Sequence, residues 1–184
     1  MARTDVDLGR FDPDPDRSFN MPAAYYSDPG IFEREKEAIF FRSWRFVGHT
    51  TEIASPGDYL TQDICGQNVF VVRGHDRELR AFYNVCQHRA HELVQGRKGR
   101  LGAVVTCPYH AWAYGLDGAL RTARNCEQVA GFDKADFALE PVRVEVFCGF
   151  VFINLDPDAR PVGEVYPGFE ETLRAQSPDL DRMV

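Results

Sequence analysis

Two short motifs constrain this 184-residue chain more than anything else in it: Cys86-Gln87-His88 and Cys107-Pro108-Tyr109-His110. Each offers one thiolate and one imidazole, and residues 89 to 106, eighteen in all, separate them. A fold that uses both motifs must bring two loops together at one point. The donor set so assembled, two soft sulfurs and two ring nitrogens, suits a [2Fe–2S] cluster in which two histidines replace two of four cysteines. Cys86 and Cys107 then bind one iron, and His88 and His110 the other. Structural zinc is the plainer alternative, but zinc sites favour like ligands paired in sequence, whereas each loop here mixes the two. A catalytic Cys/His pair would leave one motif redundant.

The electronic consequence of mixed ligation is directional. Anionic thiolates keep their iron ferric, while neutral imidazoles leave the other iron easier to reduce and raise the potential above that of all-cysteine clusters. The imidazole edges can lie at the surface as an electron exit. Their N–H groups lose protons more readily when the iron is oxidised, so reduction and protonation are expected to be linked.

Length and composition permit such a site. A chain of this size suits one domain with flanking arms, and 44% hydrophobic content fits a soluble globular protein. The formal net charge of −7 argues against nucleic acid, which needs a basic face, and fits a carrier that docks on a basic redox partner. Residues 1–10 lack the apolar stretch of a secretion signal, and the longest apolar runs are too short to span a bilayer. No membrane association is expected. Five cysteines without close pairing fit a reducing compartment, so a cytoplasmic location is expected.

Along the chain, residues 1–20 are rich in Asp, Arg and Pro and read as a mobile arm. Residues 21–43 form a helical segment, with Asp28 as N-cap, Pro29 at the first helical position and a helix over 29–41. From 44 to 160 the texture is that of short strands with turns between them. The candidates are 44–49, 59–64, 68–73, 79–84, 103–107, 111–114, 119–122, 142–146 and 150–155. Leu116-Asp117-Gly118 and Gly74-His75-Asp76 mark tight turns. Residues 161–184 read as a helical tail, amphipathic over 165–175, and no internal repeat stands out. The fold class is therefore all-β with flanking helices: an antiparallel β-sandwich carrying two cluster-binding loops.

Several stretches beyond the ligand motifs resemble the N-terminal half of the α subunits of Rieske non-haem iron ring-hydroxylating oxygenases. They are Tyr25-Tyr26-Ser27-Asp28-Pro29, Ile31-Phe32-Glu33, Arg42-Ser43-Trp44, Val47-Gly48-His49 and Pro56-Gly57-Asp58-Tyr59. Tyr83-Asn84-Val85-Cys86, His110-Ala111-Trp112, Gly149-Phe150-Val151-Phe152 and Asn154-Leu155 continue the pattern, so that the resemblance covers about residues 20–160. Rieske proteins of cytochrome complexes match less well, because the further cysteines of their loops are replaced here by His91 and Tyr109.

The resemblance implies electron relay from a flavin/iron–sulfur reductase or a ferredoxin, through the cluster, to a mononuclear Fe(II) where dioxygen is activated. In family trimers that route leaves from the second motif's histidine, here His110, through a carboxylate to a neighbouring subunit; a homotrimer is thus implied. The mononuclear iron needs two histidines and a carboxylate. No histidine follows His110, so that site is expected in a downstream domain that this chain lacks. A free-standing Rieske ferredoxin and a zinc-stabilised interaction module are the competing readings. The implied substrates are aromatic compounds or, in some branches, quaternary amines that undergo demethylation.

Within the ligand loops, Arg89, Tyr109 and Trp112 are candidates for tuning the cluster, shielding it from water or contacting a partner. His91 is expected beside the site rather than in it, His49 and His75 in structural or solvent-facing roles, and Cys65, Cys126 and Cys148 as non-ligands.

Overall fold

The structure, a computed structural model, describes residue 9, residues 11–126 and residues 128–182. Much of the expected N-terminal arm, residues 1–8 and 10, lies outside the described residues, as do residue 127 and the last two of the tail. The chain divides into two compact units between Phe40 and Phe41.

In the first unit the acidic run folds into local turns, with Asp14 N donating to Asp12 Oδ1 (2.9 Å) and Asp16 N to Asp14 Oδ1 (3.1 Å). Helix α1, Pro29–Glu35, starts as its sequence dictates: the Asp28 carboxylate accepts from Gly30 N at 2.7 Å and Pro29 needs no acceptor. The expected single helix over 29–41 instead widens into a π-helical turn over Lys36–Phe40. That turn sets Phe40 edge-on to Phe32 at 6.1 Å.

The second unit is built on two antiparallel sheets. Strands β1 (Arg45–His49), β2 (Asp58–Ile64), β3 (Gln67–Arg73), β4 (Leu79–Tyr83), β5 (Lys98–Arg100), β9 (Pro141–Phe147) and β10 (Phe150–Asn154) form the larger one, in the order β1-β10-β9-β4-β3-β2-β5. Strands β6 (Val104–Thr106), β7 (Ala113–Gly115) and β8 (Leu120–Thr122) form a small sheet in sequence order. Strand β5 was not foreseen; its Lys-Gly-Arg is exposed throughout, so no apolar alternation marks it. Among the described residues no helix is long and apolar enough to cross a membrane.

Turn chemistry sets the registers. Cys65-Gly66 between β2 and β3, and Cys148-Gly149 between β9 and β10, both have positive φ at each residue, the two-residue turn whose twist matches antiparallel strands. The β3–β4 and β7–β8 turns reveal a short internal repeat: Gly-x-Asp-x-x-Leu-Arg occurs at 74–80 and again at 115–121. Gly74 N donates to Glu78 O and Gly115 N to Ala119 O, while Asp76 Oδ1 and Asp117 Oδ1 accept from the Glu78 and Ala119 amides, both at 3.1 Å. In each copy the terminal arginine pairs with the turn aspartate, Arg80 with Asp76 and Arg121 with Asp117. The two copies share four identities in seven positions, too few to stand out until the matching turn hydrogen bonds align them.

After β10 come helix α2, Val162–Val165, and helix α3, Phe169–Gln176. The tail helix expected over 165–175 is thus interrupted at its start: Pro167 has no N–H to give and Gly168 sits at φ 75°. A buried cluster including Phe70, Phe82, Trp112, Tyr114, Leu120 and Leu139 joins the two sheets, and Cys86 and Cys107 belong to it.

Candidate metal centre

The first motif leaves β4, in the large sheet; the second connects β6 to β7, in the small one. Their loops are nevertheless built alike. Cys86 N donates to His91 O (2.9 Å) and Ala90 N to Cys86 O (2.9 Å); Cys107 N donates to Trp112 O (2.8 Å) and Ala111 N to Cys107 O (3.0 Å). Ala90 and Ala111 hold the matching left-handed position, φ 54° and 57°. In this correspondence the histidines occupy different rungs, since His88 matches Tyr109 and Arg89 matches His110. That stagger lets the two imidazoles meet, with centroids 4.7 Å apart and planes at 69°.

The sulfurs lie in the core and the imidazole rings nearer the surface. Cys86 is 1% and Cys107 2% exposed, and neither forms a disulfide. His88 and His110 are half-buried. Burial pushes the Cys86 thiol up; a hydrogen bond with Tyr114 and a backbone bond at His88 oppose this, while Cys107 adds to it. A lone thiolate is thus penalised unless a cation takes up its charge. The His88 imidazole is pushed down, first by burial and then by the charges of His110 and Arg89, so its neutral, lone-pair form is favoured.

Tyr114, fully buried, ties the loops together: its hydroxyl accepts from Gln87 N at 3.0 Å and lies 3.3 Å from Cys86 Sγ. Burial, then Cys86, raises its pKa. Trp112 stacks flat on His88 (4.8 Å, 10°), and Phe132 and Phe137 stand edge-on to its ring at 5.9 and 5.5 Å. It is both core, at 2% exposed, and a wall of the site. Tyr109, 56% exposed, covers His110 at 3.7 Å and leans towards His91 at 5.6 Å. Arg89 is exposed.

The donors fit a two-iron cluster. His110 Nδ1 is buried and meets no hydrogen-bond partner, as a lone pair reserved for a metal would, and the Trp112 indole N–H is buried likewise. Among the described residues no three His, Cys, Asp or Glu side chains close to single-ion distance.

The other candidates lie apart. His91 Nδ1 contacts Glu92 O at 2.7 Å. His49, 6% exposed, caps a short 3₁₀ turn through Thr51 N. Cys65 and Cys148 sit in hairpin turns and Cys126 packs against the core. Sequence reasoning did not single out Tyr114, which read only as a strand residue, or Asn84, whose signal is a polar residue closing an apolar strand.

With the geometry in place, comparison with known proteins is direct. Residues 43–133 match the Rieske [2Fe-2S] domain. The chain is 48% identical over 166 residues to the carnitine monooxygenase oxygenase subunit of Escherichia coli, covering 90% of this chain and 44% of that protein. The corresponding subunit of Acinetobacter baumannii is 49% identical over 159 residues, 86% of this chain and 43% of the other. The crystal structure of the quaternary ammonium Rieske monooxygenase CntA with L-carnitine superposes with a TM-score of 0.88 at 47% identity, covering 93% of this chain and 48% of that one. Naphthalene 1,2-dioxygenase is more distant: TM-score 0.78 and 32% identity, over 85% of this chain and 36% of that one. The chain thus spans less than half the length of the relatives it matches.

Proposed function

Since the chain belongs to the Rieske [2Fe-2S] family, in the oxygenase α-subunit branch, and transfers electrons through that cluster, we propose that Cys86 and Cys107 hold one iron and His88 and His110 the other. When bound, a cluster of this kind supplies one reversible electron at a time. The observation that carries the ligand assignment is the pairing of two buried thiols with two facing imidazoles, one with an unpartnered inner nitrogen. The chain's own residues do the rest. Trp112 and its phenylalanine neighbours keep water from the His88 side, Tyr114 braces Cys86, and the half-buried imidazole edges give the shortest path to a partner.

In the whole protein, the electron donor is proposed to be a reductase or ferredoxin, and the acceptor a mononuclear iron beyond the region spanned here, reached from His110 across a subunit contact. The names of the relatives point to a quaternary ammonium compound as substrate, and the lower similarity to naphthalene 1,2-dioxygenase makes an aromatic hydrocarbon the second choice.

The test is compositional. Purified without oxygen, the chain is expected to carry about two irons and two acid-labile sulfides and, after dithionite, a low-temperature paramagnetic signal with mean g below 2. Cys86→Ser is expected to empty the site and Cys148→Ser to leave it full. One zinc per chain, or equal losses from both variants, refutes the assignment.

A further inference from the structure

The second ligand loop is closed at its base by strand pairing, because Thr106 faces Ala113 across β6 and β7. The first loop has no such base. Strand β4 ends at Tyr83, and the returning chain joins no strand until β5 begins at Lys98. Beyond the Cys86 N–His91 O bond within the loop, one side chain closes it. Asn84 is 1% exposed, and its Oδ1 accepts from Leu93 N (3.1 Å) and Val94 N (3.0 Å). Its Nδ2 donates to Val94 O (2.7 Å) and to Glu92 Oε1 (3.3 Å). Its own backbone N–H goes to Asn68 O at 2.8 Å.

The partners dictate which way the amide faces, since two N–H groups need an oxygen and a carbonyl needs the NH₂. One residue therefore donates to and accepts from Val94, the two-way exchange that a strand would otherwise provide. Asn68 Nδ2 braces the arrangement by donating to Glu92 Oε1 at 2.8 Å. Further along, Gln95 O accepts from the Tyr59 hydroxyl (2.8 Å) and Gly96 O from Thr61 Oγ1 (3.0 Å), which lays the returning chain on β2.

We propose that Asn84 is a positioning residue for the cluster. It clamps both ends of the loop that presents Cys86 and His88, and so fixes those donors against Cys107 and His110. The inference rests on the ligand assignment above. Asn84→Asp keeps the shape but sets an acceptor against Val94 O, leaving that carbonyl without its donor. The clamp then opens on one side, and the loop samples more positions.

The experiment compares the cluster-loaded parent chain with Asn84→Asp by amide hydrogen exchange, by the low-temperature paramagnetic spectrum and potential after reduction, and by iron release to a chelator. Exchange at Leu93 and Val94 and the release of iron are both expected to be about tenfold faster in the variant, with broadened spectral features. Should Asn84→Asp not fold, Asn84→Ser, which shortens the clamp without a charge, is read in the same way. A variant with the parent's line shape, potential and release rate, even at a lower melting temperature, shows that Asn84 serves the fold alone and overturns the proposal. A parent without a two-iron cluster overturns the ligand assignment instead, and this inference with it.

Discussion

At the scale of single residues, the site separates into groups that are proposed to bind and groups that adjust. Tyr114 adjusts. Its hydroxyl lies 3.3 Å from Cys86 Sγ while accepting from Gln87 N, an arrangement that leaves its own proton for the sulfur. A hydrogen bond to a thiolate ligand favours the state with the additional electron, because that state places more negative charge on sulfur. Tyr114→Phe is therefore expected to retain the cluster but lower its potential. A differential of about 1 kcal/mol corresponds to roughly 40 mV for a one-electron couple. Spectroelectrochemical titration reads the shift, and an unchanged potential means that the hydroxyl proton points elsewhere. Asn84 differs in kind, since it acts on the backbone of the loop and not on a donor atom.

At the scale of elements, the hairpin at 115–121 packs the small sheet against the large one. Gly118 N caps its own turn while Gly118 O accepts from Leu139 N at 2.9 Å. The Phe82 ring of β4 comes so close that a Cβ at Gly118 would meet it at 2.5 Å. Gly66 has a similar positive φ (91° against 84°) but nothing within 4 Å of such a carbon. Gly66→Ala is expected to cost about 1 kcal/mol from backbone strain alone, and Gly118→Ala roughly 3 kcal/mol because the added methyl also overpacks against Phe82. Denaturant unfolding of the two variants separates these contributions, and equal costs would show that the Phe82 contact is soft. In the hairpin at 74–80 the Arg80 fork holds the Asp76 carboxyl at about 2, helped by the Glu78 amide, against an ordinary 3.8. A folded-state pKa below the unfolded one gives stability that is present above pH ~4 and lost as pH falls towards 2. The melting-temperature gap between the parent and Asp76→Asn is expected to be constant above pH ~4 and to close below it.

At the scale of the whole molecule, the proposed donors come from different sheets: Cys86 and His88 from a loop leaving the large one, Cys107 and His110 from a loop inside the small one. A cluster held this way staples the sheets, so its binding free energy adds to folding. Removing the iron is expected to lower the melting temperature and to strip exchange protection from β6–β8 while β2–β4 keep theirs; equal protection in both states would show that the hydrophobic contacts between the sheets suffice. Much of this was legible beforehand. The Cys-x-His and Cys-x-x-His spacings announced the donor set, because ligand chemistry is local in sequence and tolerates few substitutes. Short apolar runs bounded by turn residues announced strands, as at 59–64 and 68–73, and Asp28-Pro29 announced a helix start, because strand preference, turns and capping depend on near neighbours. Strand β5 could not be seen, since its exposed Lys-Gly-Arg carries no apolar signal and is defined only by its pairing with β2. The stagger that brings His88 to His110, the hydroxyl of Tyr114 beside Cys86 and the clamp at Asn84 belong to tertiary structure alone. Each depends on residues eight to thirty positions apart meeting at hydrogen-bond or ring distance, and linear spacing carries no measure of that approach.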